Sequence, residues 1–181
     1  GFELDKKSGF LMKGDQVFEF TILTNKGNKE REKTAQIIQQ YLKDVGIKVS
    51  IQILEWSSFL KVVNSHETPK KFDAVILGWS LGLDPDGYSI WHSSQYPKGF
   101  NFIGYQNSQV DQILRQGRLE TDKTKRKAIY AKLYYEISKD LPYLFLFYPE
   151  SIVGINKRVQ GLSKPGPAGM MNPIEDVYLV K

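Results

Sequence analysis

The side chains able to do chemistry are few. The chain has no cysteine and two histidines, His66 and His92. Thiolate nucleophiles, disulfides and sulfur-built zinc sites are therefore excluded. Neither histidine has a partner at metal-ligand spacing, and a lone polar histidine reads as a surface or loop residue. No G-x-S-x-G elbow, phosphate-binding P-loop or G-x-G-x-x-G turn is present. Asp84-Pro85-Asp86-Gly87 offers two carboxylates that a glycoside hydrolase could use as acid and nucleophile. The same tetrapeptide is also a turn sequence whose carboxylates accept backbone N–H bonds. The turn is the favoured reading. Gly82 to Gly87 falls short of a calcium loop, lacking a third ligand position and the distant bidentate glutamate. Lys123, Lys125, Arg126 and Lys127 open a helix and read as a solvated face. They lack the density and aromatic interleaving of a nucleic-acid site.

What remains is aromatic and polar. Trp79, Ser80, Tyr88, Trp91, His92, Phe100, Asn101 and Tyr105 surround a glycine-containing loop. Large apolar faces with a few hydrogen-bonding tips suit a binding cleft better than a catalytic centre. For Phe100, Phe102 and Tyr88, packing of the loop is the simpler reading. No cofactor, metal or enzymatic activity is expected.

The elements that must position these residues follow from periodicity. Val17 to Leu23 alternates as a strand. Ala35, Ile38, Leu42 and Val45 have helical spacing over 29–45, and Gly46 stops the helix. Ile47, Val49, Ile51 and Ile53 share one face of a strand. Ser57 and Ser58 are candidate caps for a short helix. Phe72 to Trp79 is nearly all apolar, as expected for a central strand covered on both faces. Ser108 and Asp111 suggest a capping pair for the next helix, and Asp122 a cap for another with Ile129, Leu133 and Ile137 as its stripe. Tyr143 to Tyr148, Ser151 to Ile155 and Val177 to Val180 read as strands. Strands and helices in this order predict a layered α/β domain. Ligands of open α/β sheets bind beyond the strands' carboxyl ends, where Trp79 lies.

The net charge of +5 is mild and its basic residues scattered. No apolar run approaches the roughly 18 residues of a membrane span. The opening Gly1-Phe2-Glu3-Leu4-Asp5 shows no signal peptide and reads like the interior of a longer protein.

Several stretches together resemble a known family. They are Arg31…Ala35-x-x-Ile38-Gln39-x-x-Leu42-x-x-Val45-Gly46-Ile47-x-Val49, Glu55-Trp56-x-x-Phe59-Leu60, and Phe72-Asp73-Ala74-x-x-Leu77-Gly78-Trp79 with Asp84-Pro85-Asp86. They continue with Asn101-Phe102-x-Gly104-Tyr105-x-Asn107-x-x-Val110-Asp111, Asp122-x-x-x-Arg126-x-x-x-Tyr130 and Ile137-x-x-Asp140-x-Pro142. In this order they resemble the second lobe of dipeptide- and oligopeptide-binding proteins, the bacterial extracellular solute-binding components of ABC importers. The resemblance implies a periplasmic-binding-protein-like layered sheet with flanking helices. Residues 1–145 would form the smaller ligand-binding lobe, and 146–181 a return segment toward an absent larger lobe. It further implies an exported protein at the outer face of the cytoplasmic membrane, with a peptide or other oligomeric solute and an ABC permease as partners. Backbone at Trp79, Ser80 and Leu81 would pair with an extended ligand, with Gly82, Asp84, Trp91, Asn101 and Tyr105 nearby. Peptide-binding relatives often carry an Asp shortly after the Trp, for the ligand's α-amino group. Here those positions are Leu81, Gly82 and Leu83. A sugar oligomer, a modified peptide, or a peptide anchored by the other lobe stays open. So do two other classes, a stand-alone protein-interaction domain and a glycosidase using Asp84 and Asp86.

Overall fold

The computed structural model describes residues 1–80, 82–150, 152–162 and 174–180. The chain begins with a small antiparallel sheet, β1 (Glu3–Leu4), β2 (Leu11–Lys13) and β3 (Gln16–Val17). Beyond it, β4 (Glu19–Asn25) runs into α1 (Lys29–Asp44) and returns as β5 (Lys48–Leu54). The pairing is parallel over the full length, from Glu19 opposite Lys48 to Asn25 opposite Leu54. The expected strand at Val17 to Leu23 thus divides: its first residue closes β3, and β4 takes over beyond Phe18.

α1 begins as its sequence demands. The Asn28 side chain accepts from the Arg31 amide at 3.0 Å, occupying one of the orphan donors of a first turn. Gly46 ends it at φ 81°. A Cβ there would stand 2.9 Å from Leu4 Cδ1, and the Gly46 carbonyl accepts from Leu11 N at 2.6 Å. The glycine thus both reverses the chain and lets the small sheet sit close.

After β5 comes α2 (Trp56–Val63). Its cap is Glu55, not Ser57 or Ser58: the Glu55 carboxylate accepts from Ser57 N at 2.7 Å. A carboxylate placed before the first turn does the cap's work and draws the serine hydroxyl with it. β6 (Ala74–Val75) lies on the other side of β4, again parallel, giving the order β5-β4-β6. The apolar run from Phe72 to Trp79 is therefore a ladder over only two residues, lengthened by Ile76 N donating to Leu23 O. At its start, Asp73 accepts from Thr21 N at 2.9 Å through its side chain, so a carboxylate replaces the backbone acceptor there.

The strands bury two faces. Ile22 and Val49 pack with Ala35 under α1, joined by Ile38, Leu42 and Ile51. Leu23 packs on the other face with Phe59, Val63 and Phe102. Alternate residues of β4 thus serve opposite layers, as a period of two requires.

Beyond the sheet lie α3 (Tyr88–Trp91), a 3₁₀ turn (Ser93–Gln95), α4 (Ser108–Leu119) and α5 (Lys123–Asp140). α4 and α5 form a second core from Trp91, Val110, Ile113, Leu114, Tyr130, Leu133 and Ile137. The α4 cap is Asn107, which accepts from Gln109 N and Val110 N at 3.0 and 3.3 Å. Asp111, read from the sequence as part of the cap, instead accepts from Ser93 N at 2.8 Å and from the Ser93 hydroxyl. Asp122 caps α5 through Lys125 N at 2.8 Å. That helix ends at Leu141, held left-handed at φ 45° before Pro142.

The expected strands at Tyr143 to Tyr148 and 152–155 do not form; Ser151 lies outside the described residues. Their β-rich composition finds no sheet edge to pair with, and a strand without a ladder leaves its backbone groups unmatched. At the end of the chain β7 (Val159–Gln160) pairs antiparallel with β8 (Tyr178–Leu179). Residues 163–173, part of the anticipated return segment, lie outside the described residues. No helix among the described residues is long and apolar enough to cross a membrane.

Candidate functional site

β4 and β6 run parallel, so Asn25 and the chain just past Ile76 emerge at the same end of the sheet. Trp79 stands there with 39% of its surface exposed. Its ring stacks on buried Phe102 at 5.7 Å between centroids and meets Phe100 edge-on at 5.6 Å. Phe102 belongs to the core beneath α2, so Trp79 is an aromatic platform with a fixed base. Ser80 and Gly82 follow, both exposed; Leu81 lies outside the described residues. None of the backbone pairings among the described residues involves Leu77 to Ser80.

The next turn is fully engaged. Asp84 accepts from Asp86 N at 2.9 Å, and Asp86 accepts from Tyr88 N at 3.0 Å. Each carboxylate also takes an arginine from a different helix: Arg126 Nη2 donates to Asp84 at 2.8 Å, and Arg118 Nε donates to Asp86 at 2.7 Å. Arg126, counted from the sequence among solvated cations, also donates to the Gly117 carbonyl at 2.9 Å. Arg118 lies over the Tyr88 ring at 3.9 Å. The hydrogen bond from Arg126 holds the Asp84 carboxyl below the usual range. A glycosidase acid needs the opposite shift, toward a protonated group at neutral pH. The pair is a structural turn.

Trp91, Asn101 and Tyr105 are placed differently. Trp91 is 9% exposed and packs against Tyr143 at 4.6 Å in the α4–α5 core. Asn101 is 0% exposed. Its amide donates to Tyr105 O at 2.8 Å and His92 O at 3.3 Å, and its oxygen accepts from Tyr105 N at 2.9 Å. Every polar atom of this side chain is spent on holding the loop. The Tyr105 hydroxyl donates to Asp140 at 2.6 Å, and burial together with that carboxylate raises its pKa. Of the cleft-facing exposure anticipated for Trp91 and Tyr105, Trp91 shows none and Tyr105 keeps part, because the 88–105 loop folds them onto the helix pair.

His92 is likewise buried rather than a surface histidine, while His66 is exposed. Arg115 Nη1 lies 2.8 Å from its Nε2. A guanidinium only donates, and the Ser94 amide donates to Nδ1 at 3.1 Å, so both ring nitrogens face donors, with Ser94 Oγ 2.9 Å from Nδ1. Burial lowers the His92 pKa, outweighing the nearby Asp111.

One further residue joins Trp79 at the sheet end, and its motif position alone gave no hint of this. Arg31, in the first turn of α1, is half-buried and donates through Nη1 to Asn25 Oδ1 at 2.7 Å. Its Nη2 lies 3.1 Å from where a Gly78 Cβ would stand. No ion pair among the described residues includes it.

A concavity of about 400 Å³ lies elsewhere, between Pro85 and the α5 residues Lys123, Lys127, Tyr130 and Tyr134. It is an open apolar groove whose one partly buried cation, Arg126, already has its carboxylate. Among the described residues, the sheet end combines backbone without backbone partners, an exposed aromatic and a cation without an ion pair, and is the better candidate.

Comparison with known proteins agrees with this architecture. Residues 1–102 match the family described as bacterial extracellular solute-binding proteins, family 5 middle. The oligopeptide-binding protein AppA of Bacillus subtilis is 36% identical over all of this chain, which spans 33% of that protein. The solved structure of that AppA in complex with a nonapeptide superposes with a TM-score of 0.81 at 37% identity, covering 100% of this chain and 35% of that one. The binding protein DppA of Helicobacter pylori in complex with the peptide STSA gives 0.72 at 29% identity, over 91% of this chain and 31% of that one. The chain therefore spans about a third of the length of these relatives, and it belongs to the bacterial extracellular solute-binding proteins of family 5.

Proposed function

We propose that this chain is the smaller lobe of the substrate-binding component of an ABC importer, and that it holds an extended peptide against Trp79, Ser80, Leu81 and Gly82. The observation that carries this reading is the sheet end itself. Among the described residues, the chain leaves the ladder after Ile76 with its backbone donors and acceptors from Leu77 to Ser80 unmatched by other backbone, beside an exposed tryptophan. An extended peptide can add to such backbone as a strand, while pockets beside it sort the side chains. AppA and DppA relatives are solved with peptides. A peptide is thus preferred over a sugar oligomer.

In this reading Asp84, Trp91, Asn101 and Tyr105 shape the loop behind the contact. No side chain here performs turnover. Residues 1–145 form the lobe, and 146–181 lead toward a second one. Tyr148 is 84% and Ile152 95% exposed, with Phe145, Phe147 and Val153 also uncovered. So many adjacent apolar side chains are costly in water and call for a covering surface, which the larger lobe would supply. Closure of the two lobes over the solute then presents the complex to a permease, at the outer face of the cytoplasmic membrane.

Calorimetric titration of the full two-lobed protein with nonapeptides and with oligosaccharides of similar length tests this. Binding of peptides alone is the expected result. Binding of oligosaccharides alone would overturn it.

A further inference from the structure

We propose that Arg31 is a subsite for a carboxylate of the bound peptide. The inference rests on the peptide reading above and names a group on the ligand that this end of the sheet recognises.

The geometry of Arg31 leaves a specific deficit. The side chain crosses from the first turn of α1 to the carboxyl end of β4, where Asn25 Oδ1 accepts from Nη1 at 2.7 Å. Asn25 is a neutral acceptor and takes one of the five donors that a guanidinium carries. The neighbouring acids do not answer the charge. Glu32 instead accepts from the Gly27 amide at 3.0 Å, and Glu30 pairs with no cation among the described residues. Loss of solvent lowers the Arg31 pKa with no opposing attraction. A cation partly removed from water and lacking an anion is an unfavourable arrangement. Arg126, one of two arginines bonded to the Asp84–Asp86 turn, shows what satisfaction looks like here, with both Asp84 oxygens within 3.1 Å of one nitrogen.

Space and position supply the second argument. Gly78 precedes Trp79, and a Cβ at Gly78 would stand 3.1 Å from Arg31 Nη2, tighter than ordinary packing. The glycine leaves the guanidinium its place beside the backbone that the ligand would join. The helix terminus itself is not the site, since the Arg31 amide is already taken by Asn28. The guanidinium fork fits a carboxylate in two parallel hydrogen bonds. A peptide brings that carboxylate from its C-terminus or from an Asp or Glu side chain.

The test uses the full two-lobed protein and alanine-rich nonapeptides in calorimetry. One pair is the free acid and its C-terminal amide; a second set carries a single Glu or Gln moved along the peptide. The wild-type protein should prefer the free acid over the amide, or Glu over Gln at one position, and that result names the source of the carboxylate. Arg31→Gln should erase the preference, weakening the carboxylate-bearing peptide roughly 10- to 100-fold while the matched neutral peptide is unchanged. Arg31→Lys should recover part of it. Equal weakening of both members of a pair would assign Arg31 to packing or to an acid of the other lobe, and would overturn the inference. A wild-type protein indifferent to every carboxylate would overturn it without any variant. Failure to bind any peptide at all would overturn the peptide reading itself, and the subsite with it.

Discussion

Two regions of this molecule are built from the same residue types and use them in opposite ways. At the carboxyl end of the parallel sheet, Trp79 rests on Phe102 with much of its surface open, and Arg31 pairs with no acid among the described residues. In the loop and helix pair beyond Asp84, Trp91 is enclosed, Asn101 is completely bonded, and both turn carboxylates have arginines. Aromatic and polar character alone marks both. What separates them is satisfaction: a group whose hydrogen bonds and packing are complete has nothing left for a ligand.

The enclosed region depends most heavily on Asn101. Truncating it strands the backbone groups of Tyr105 and His92 in a closed interior, so Asn101→Ala should destabilise folding by about 2–3 kcal/mol. Its effect on peptide affinity should be secondary. Denaturant unfolding of the variant checks the first value, and a negligible shift would return Asn101 to the list of ligand contacts. Trp79→Ala should do the reverse. In the full two-lobed protein it should weaken peptide binding by ~2 kcal/mol or more, as for an aromatic anchor, with a smaller change in melting temperature. Unchanged affinity in calorimetry would remove Trp79 from the site.

A third, smaller effect belongs to His92. Its folded pKa is lowered by burial, so the unfolded chain binds the proton first. The stability it contributes is fully present above the unfolded value of 6.5 and is lost as pH falls through the lower folded value. His92→Gln should therefore flatten the acid side of the stability profile in that window. A profile that keeps the wild-type slope would place the titration elsewhere.

Much of the sheet could be read directly. The alternation of Ile47, Val49 and Ile51 and the helical spacing of Ala35, Ile38 and Leu42 need only the periods of strand and helix, and the parallel β4–α1–β5 unit follows. The Asp84–Asp86 turn was legible because its chemistry is local. Caps were less so. Glu55 and Asn107 displaced the neighbouring serines because competing side chains one or two residues apart offer nearly the same bond. The strands that do not form at 143–148 and 152–155 show a different limit. Apolar, β-branched composition states that a segment wants cover, and says nothing of which surface provides it. The same limit hid the contrast between Trp79 and Trp91, whose burial depends on how the 88–105 loop folds over α4 and α5. Arg31 escaped notice because a charge in a first helical turn ordinarily points to water. Only the fold brings it to Gly78.

One lobe of this protein offers only half of a binding site. A tight small-ligand site encloses about 70–90% of its ligand, and the described surface around Trp79 is open on one side. The most direct measurement titrates this chain alone beside the full two-lobed protein with the same nonapeptides. The chain alone should fold and bind in the millimolar range or weaker, roughly −4 kcal/mol, while the full protein binds far more tightly because closure engages the second lobe. Micromolar binding by the chain alone would contradict the account and make this a self-contained binding domain.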